Sequence, residues 1–223
     1  MNILAIDSSS ENLSISMLNR GNVLFDFNRC LKFGASKLVS FIDGNLRKYH
    51  INLDDIDVFA LGMGPGSFTG LRASFSVVKA FMIALRKPAV CVESFYSIAY
   101  PFIGKHRKIA VISDARRGLV YAATFLSERG LLKKETKTSL TILKDFAHSK
   151  SGYFFITYDE HLYRELSEIN PKINFNQKTV YPKAKYYLEI AQNLADKKRF
   201  VGIDNLKPLY LHPKTCQVRN VKI

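Results

Sequence analysis

Gly64-Pro65-Gly66-Ser67-Phe68-Thr69-Gly70-Leu71-Arg72 sets three glycines and a proline in nine residues between two apolar segments. Val58-Phe59-Ala60-Leu61 ahead of it reads as a buried strand and Leu71 to Leu85 behind it as a long helix, so the turn runs from strand to helix. Gly64, Gly66 and Gly70 permit positive φ and close approach of another group to the backbone, while Pro65 fixes φ and removes a donor. Ser67, Phe68 and Thr69 come just before the helix, where unpaired N–H groups and the positive dipole end favour an anion or a polar partner. Two readings stand at this point: a loop that cradles a phosphate or partner, and a glycine-rich turn that joins a strand to a buried helix.

The N-terminus supplies a second signal. Asn2-Ile3-Leu4-Ala5-Ile6 is a short apolar strand that ends on Asp7-Ser8-Ser9-Ser10. Leu13, Ile15 and Met17 alternate with serines in a second strand, and Val23, Phe25 and Phe27 alternate in a third after the Asn19-Arg20-Gly21-Asn22 turn. An acidic residue closing the first strand, followed by a hydroxyl-rich hairpin and a meander, is similar to the start of an actin-, hexokinase- and Hsp70-type lobe. The opening Ile-Leu-Ala-Ile-Asp-Ser-Ser-Ser, the Gly64 to Arg72 loop, the Asp114-Ala115-Arg116-Arg117-Gly118-Leu119-Val120-Tyr121 segment and the late Pro208-Leu209-Tyr210-Leu211 together resemble the TsaB (YeaZ-like) family. The resemblance spans nearly the whole chain, strongest over residues 1 to 121, with no motif between about 130 and 200.

That resemblance implies an α/β fold of two RNase H-like lobes of the actin-like ATPase (ASKHA) class, mixed sheets flanked by helices, with the second lobe reduced. Residues 1–104 form the first lobe, βββαβαβ, and residues 105–223 a second, basic lobe whose C-terminal segment returns toward the first. It also implies a non-catalytic subunit that binds and activates a TsaD-type threonylcarbamoyltransferase. That enzyme moves threonylcarbamoyl from an adenylate to the adenosine beside the anticodon in tRNAs that read codons starting with A. The implied partners are the TsaD-type subunit, a TsaE-type ATPase in the same complex, a second copy of the chain when alone, and tRNA through the complex. ATP or ADP and the metal are expected on partner subunits, and no cofactor on this one.

Composition sets independent bounds. The 223 residues suffice for one large or two small domains, and 47% apolar content can fill a core. The longest apolar stretch, Phe75 to Leu85, is interrupted by Ser76 and Lys79, and no signal segment precedes Met1-Asn2-Ile3, so a cytoplasmic protein without a membrane span is expected. Cys30, Cys91 and Cys216 are odd in number and far apart, the pattern of reduced thiols rather than a disulfide framework or zinc ribbon. Of the net charge of +14, residues 101 to 223 carry +12. Lys197-Lys198-Arg199 is the cluster singled out for RNA contact, against the alternative of a solubilising surface.

Elsewhere the pattern predicts helices over Ser36 to Tyr49 and after Pro182, and strands at Ala89 to Val92, Ile109 to Ser113, Val120 to Leu126 and Phe154 to Ile156. Asn170 to Pro182 reads as a flexible stretch. Catalysis lacks a signature. His50, His106, His148, His161 and His212 include no His-x-x-x-His pair of the kind that TsaD carries, which counts against a glycoprotease-like metallopeptidase. A stand-alone actin-like kinase or ATPase would place glycine where Ser9 stands beside Asp7 and Ser8.

Partner binding is the remaining chemistry. Leu38, Ile42 and Leu46 on one helix, with Leu71, Phe75, Val78, Phe81 and Met82 on the next, cover a wider arc than the usual core stripe of about 100°. They read as an interface, with a deep monomer core as the alternative. The TsaB family pairs through the corresponding two helices, with itself or with TsaD.

Overall fold

The computed structural model describes residues 1–30 and 34–211; His212 and Cys216 lie outside the described residues. Three strands open the chain: β1 (Asn2–Asp7), β2 (Asn12–Asn19) and β3 (Asn22–Cys30). Arg20 and Gly21 between β2 and β3 are both left-handed, φ 48° and 88°. That two-residue geometry matches the twist of antiparallel strands. Then come α1 (Leu38–Lys48), β4 (Val58–Gly62), α2 (Phe68–Leu85) and β5 (Ala89–Val92). The first sheet runs β3-β2-β1-β4-β5, with β1, β4 and β5 parallel.

Strands covered on both faces must be apolar throughout, and β1 and β4 are. Leu4, Ile6, Phe59 and Leu61 face the core under α1 and α2, while Ile3, Ala5, Val58 and Ala60 face a second core on the other side. That second core is closed by Tyr187, Leu188 and Ala191 from the far end of the chain.

The second lobe contains α3 (Ser94–Ala99), β6 (Lys108–Asp114), β7 (Leu119–Glu128), β8 (Leu131–Lys134), β9 (Ser139–Ile142), α4 (Leu143–Ser149), β10 (Phe154–Ile156), α5 (Glu160–Ile169) and β11 (Asn174–Phe175). Its sheet runs β8-β7-β6-β10-β11, the strand order of the first sheet, with β9 added alongside β7. The lobe is therefore reduced in strand length, three residues in β10 and two in β11, rather than in strand number.

The two lobes exchange helices across residue 104. Phe95, Ile98 and Ala99 of α3 pack with Ile109, Val111, Ala123 and Phe125 in the second lobe. In return α6 (Leu188–Asp196) packs on the first sheet, Val201 bridges to Ala89, and Leu206 is buried in the first core. Farther along, Leu209 N–H donates to the Met63 carbonyl at 2.8 Å. Glu93 after β5 pairs with Lys134 of β8, a half-buried tie between the lobes. The segment read as flexible is held at the end of β10, where Asn176 N–H donates to Phe155 O at 2.9 Å and Val180 N–H to Thr157 O at 3.0 Å.

Candidate functional site

Asp7 ends β1 fully buried, and its carboxylate is the centre of the site that the sequence singles out. Oδ1 accepts from the Ser9 N–H at 2.8 Å and the Ser9 hydroxyl at 2.7 Å; Oδ2 accepts from the hydroxyls of Ser94 at 2.7 Å and Tyr187 at 2.5 Å. Burial, followed by the charge of Asp7, pushes the Tyr187 phenol well above its ordinary pKa, so it stays protonated and donates. Gly62 leaves the room for this arrangement: a β-carbon there would sit 1.8 Å from Asp7 Oδ2. Charge-assisted bonds of this kind satisfy a carboxylate that burial alone would penalise heavily. The contacts on the Asp7 carboxylate come from the chain's own Ser9, Ser94 and Tyr187.

The Gly64 to Arg72 loop is closed in the same way along its inner side. Ser67 N–H donates to Ser9 O at 2.6 Å, and the Ser8 hydroxyl donates to Gly70 O at 2.8 Å. Gly64 (φ 90°) accepts from the Ser94 N–H at 2.9 Å and donates to the Ser94 hydroxyl at 3.0 Å; the peptide between Gly64 and Pro65 is cis. A β-carbon on Gly66 would lie 2.0 Å from Ser9 O, and one on Gly70 2.0 Å from Ser8 O. The close approach that the glycines permit is made here by the turn after β1. α2 consequently starts at Phe68, earlier than the pattern predicts, with Ser67 as its cap accepting from Gly70 N–H at 3.2 Å.

The outer side of the same loop is bare. Phe68 and Thr69 are exposed, Arg72 holds its guanidinium 3.9 Å from the Phe68 ring centre, and Tyr210 meets Phe68 at 5.7 Å.

The expected interface residues divide differently from the sequence reading. Leu38, Ile42, Leu46, Leu71, Phe75 and Val78 are all buried in this chain's own core, and Phe81 and Met82 are half-buried against it. These six share one core with Phe25 of β3, against which Phe27 and Phe41 pack; Phe25 stacks on Tyr49 and Phe27 meets Phe41 at a tilt. What faces outward is a smaller set, chiefly Val39, 52% exposed, and Ile83, 67% exposed. Val39 lines a groove of about 550 Å³ together with Leu46, Ile51 and Phe81. The 18 residues of α2 have a mean hydropathy of 1.4, enough by length and composition to cross a membrane, yet Leu71, Phe75 and Val78 pack on the first sheet.

Lys197, Lys198 and Arg199 are exposed just after α6 and so sit on the first lobe, not on the basic second one. Asp114, at the end of β6, occupies the place in the second sheet that Asp7 has in the first. It is open where Asp7 is closed: Arg116 N–H donates to it at 2.7 Å, and the His161 ring lies 3.9 Å away. Asp159, which sequence reasoning passed over, accepts from the Asp114 N–H at 2.8 Å, and burial raises its carboxyl pKa. Among the described residues no group of three or more His, Cys, Asp or Glu side chains is placed to hold a metal ion. Cys91 is an inert thiol, pushed by burial to a pKa of about 12.

Comparison with known proteins agrees with this geometry. Residues 34–186 match the family model described as TsaD, tRNA N6-adenosine threonylcarbamoyltransferase. The chain is similar to the tRNA threonylcarbamoyladenosine biosynthesis protein TsaB of Escherichia coli, 24% identical with 95% of this chain and 94% of that one covered. It is 28% identical to the TsaB of Bacillus subtilis over 75% of this chain and 76% of the other. YeaZ from Pseudomonas aeruginosa superposes with a TM-score of 0.81 at 22% identity, covering 94% of this chain and 99% of that structure.

Proposed function

The chain belongs to the TsaD family as a member of its TsaB type, and on that premise we propose that it is a non-catalytic subunit of tRNA threonylcarbamoyladenosine biosynthesis that binds and activates a TsaD-type transferase. The observation that supports this reading is the contrast between the two sides of the Gly64 to Arg72 loop. Its inner side is locked on the turn after Asp7, while its outer side presents Phe68 and Arg72 together with Tyr210. Aromatic and arginine side chains are the types that anchor protein interfaces. Farther along the same helix Ile83 stands in solvent, and Val39 does so on α1. An apolar strip of this kind is stable when a partner covers it.

In this reading the outward residues of α1 and α2 dock on the transferase, and two copies of the chain use the same face when the transferase is absent. ATP or ADP and the metal sit on partner subunits, a TsaE-type ATPase joins the complex, and tRNA is reached through it. The assembly works in the cytoplasm. The test is co-elution of the Val39→Asp/Ile83→Asp double variant with a purified TsaD-type subunit. Both positions are exposed, so the variant melts with the parent and elutes apart from the transferase. A folded variant that still co-elutes places the contact on another face.

A further inference from the structure

An aromatic and basic groove away from α1 and α2 lies where the two lobes meet. It has a volume of about 340 Å³ and is lined by Phe102, Tyr181, Tyr186 and Lys183, with Asn12 of β2 at one end. Two further lysines stand over its rings: Lys105 Nζ lies 5.9 Å from the Phe102 ring centre and Lys185 Nζ 5.3 Å from that of Tyr186. The rings are held in place from behind. Tyr186 stacks on Tyr100 at 4.9 Å, Tyr181 on Tyr158 at 6.0 Å, and the Tyr181 and Tyr100 hydroxyls donate to Glu11 and Glu189. Those two carboxylates are engaged by tyrosine hydroxyls, and Asp26 pairs with Lys185 at 3.3 Å, while Lys183 lines the groove and Lys105 stands over the ring of Phe102 at its wall.

Rigid half-buried rings with ammonium groups at their edge are the two parts of a single-stranded nucleic-acid site: bases stack on the rings and phosphates meet the cations. An acidic peptide would use the lysines and leave the rings idle. We propose that this groove binds a single-stranded segment of RNA, stacking a base beside Tyr186 and holding its phosphates with Lys105 and Lys183. The proposal rests on the assignment to tRNA modification, and it moves the RNA contact from Lys197-Lys198-Arg199 to the junction of the lobes.

The experiment is fluorescence anisotropy of the full chain with a short fluorescein-labelled single-stranded RNA, titrated over a range of salt. Tyr186→Ala weakens binding about 10-fold, equivalent to about 1.4 kcal/mol and within the range for one base stacked on an aromatic ring, and Tyr186→Phe restores it. Lys105→Glu/Lys183→Glu weakens binding and lowers the log–log salt slope by about 0.7 for each phosphate that is no longer neutralised. Melting curves that match the parent show that the variants are folded. Unchanged affinity and slope in both variants overturn the proposal, as does displacement by poly-glutamate or by AMP as effective as that by unlabelled RNA. Co-elution with the TsaD-type subunit is measured on the same variants. Retained co-elution with unaffected RNA binding removes the groove and keeps the subunit assignment, whereas a parent chain that never co-elutes removes the assignment itself.

Discussion

The Tyr187 hydroxyl donates to Asp7 Oδ2 at 2.5 Å across 180 residues of sequence, so the far end of the chain seals the first strand's carboxylate. Tyr187→Phe deletes that donor while keeping the ring in the core that it shares with Ile3, Val58 and Val90. A hydrogen bond to a charged group contributes about 1.5–3 kcal/mol, and the carboxylate stays buried without it. The stability of Tyr187→Phe, read from its urea midpoint, therefore falls by that amount. A midpoint equal to the parent's would mean that Asp7 takes its support elsewhere.

Gly70→Ala tests the loop by sterics alone. The added methyl would sit 2.0 Å from the Ser8 carbonyl oxygen, a backbone atom that moves only with the turn after β1. Overpacking of a fixed site costs about 1–3 kcal/mol, and here the bond from the Ser8 hydroxyl to the Gly70 carbonyl is strained as well. Gly44→Ala is the control, since nothing lies within 4 Å of its β-carbon position. Thermal melting should show a large loss for the first and none for the second.

Much of the first lobe was legible because its signals are local: alternation in β1 to β3, the glycine turn, and the run of apolar residues in α2. What the turn approaches was not legible, since Ser8 and Ser9 come from the other end of the lobe and Tyr187 reads simply as one apolar position of a helix. The burial of the α1 arc was not legible for a related reason. The arc of Leu38, Ile42 and Leu46 is wide, but its width is matched by Phe25 and Phe27 on β3, and pairing across elements leaves no trace in a helical pattern. In the second lobe the strand at Phe154–Ile156 was legible from its three apolar residues, whereas the seven-residue α4 and the two-residue β11 are too short for a period to show. The repeat of strand order became visible only through the pairing.

His106 gives the fold a pH dependence of known sign. Its ring lies flat on Phe154, centres 3.6 Å apart and planes 4° apart, and burial followed by the charge of Lys105 lowers its pKa below the ordinary value. The unfolded chain then binds more protons between the folded pKa and about 6.5, so stability rises with pH through that window and is level above it. His106→Phe keeps a stacked ring and removes the titration. Urea midpoints of parent and variant should diverge as pH falls below about 6.5, with the parent losing stability. Parallel profiles would show that another group governs the window.

The sharpest separation of core from surface on the two helices is between Ile42 and Ile83, 2% and 67% exposed. Ile42→Asp places a carboxylate in the apolar core that holds Leu38, Leu46 and Phe59. Unpaired buried charge is among the few single changes that cost about 4–5 kcal/mol, a large share of the roughly 5–15 kcal/mol that holds a domain. Ile83→Asp adds a charge in water, where surface changes stay within about 0.5 kcal/mol. Circular dichroism and thermal melting should find the first variant unfolded or far less stable and the second like the parent. Binding to the TsaD-type subunit is then informative only for Ile83→Asp, because loss of binding by Ile42→Asp would report unfolding. If Ile42→Asp instead folds with the parent's melting temperature, α1 does not pack on the first sheet in solution and its buried side is free for a partner.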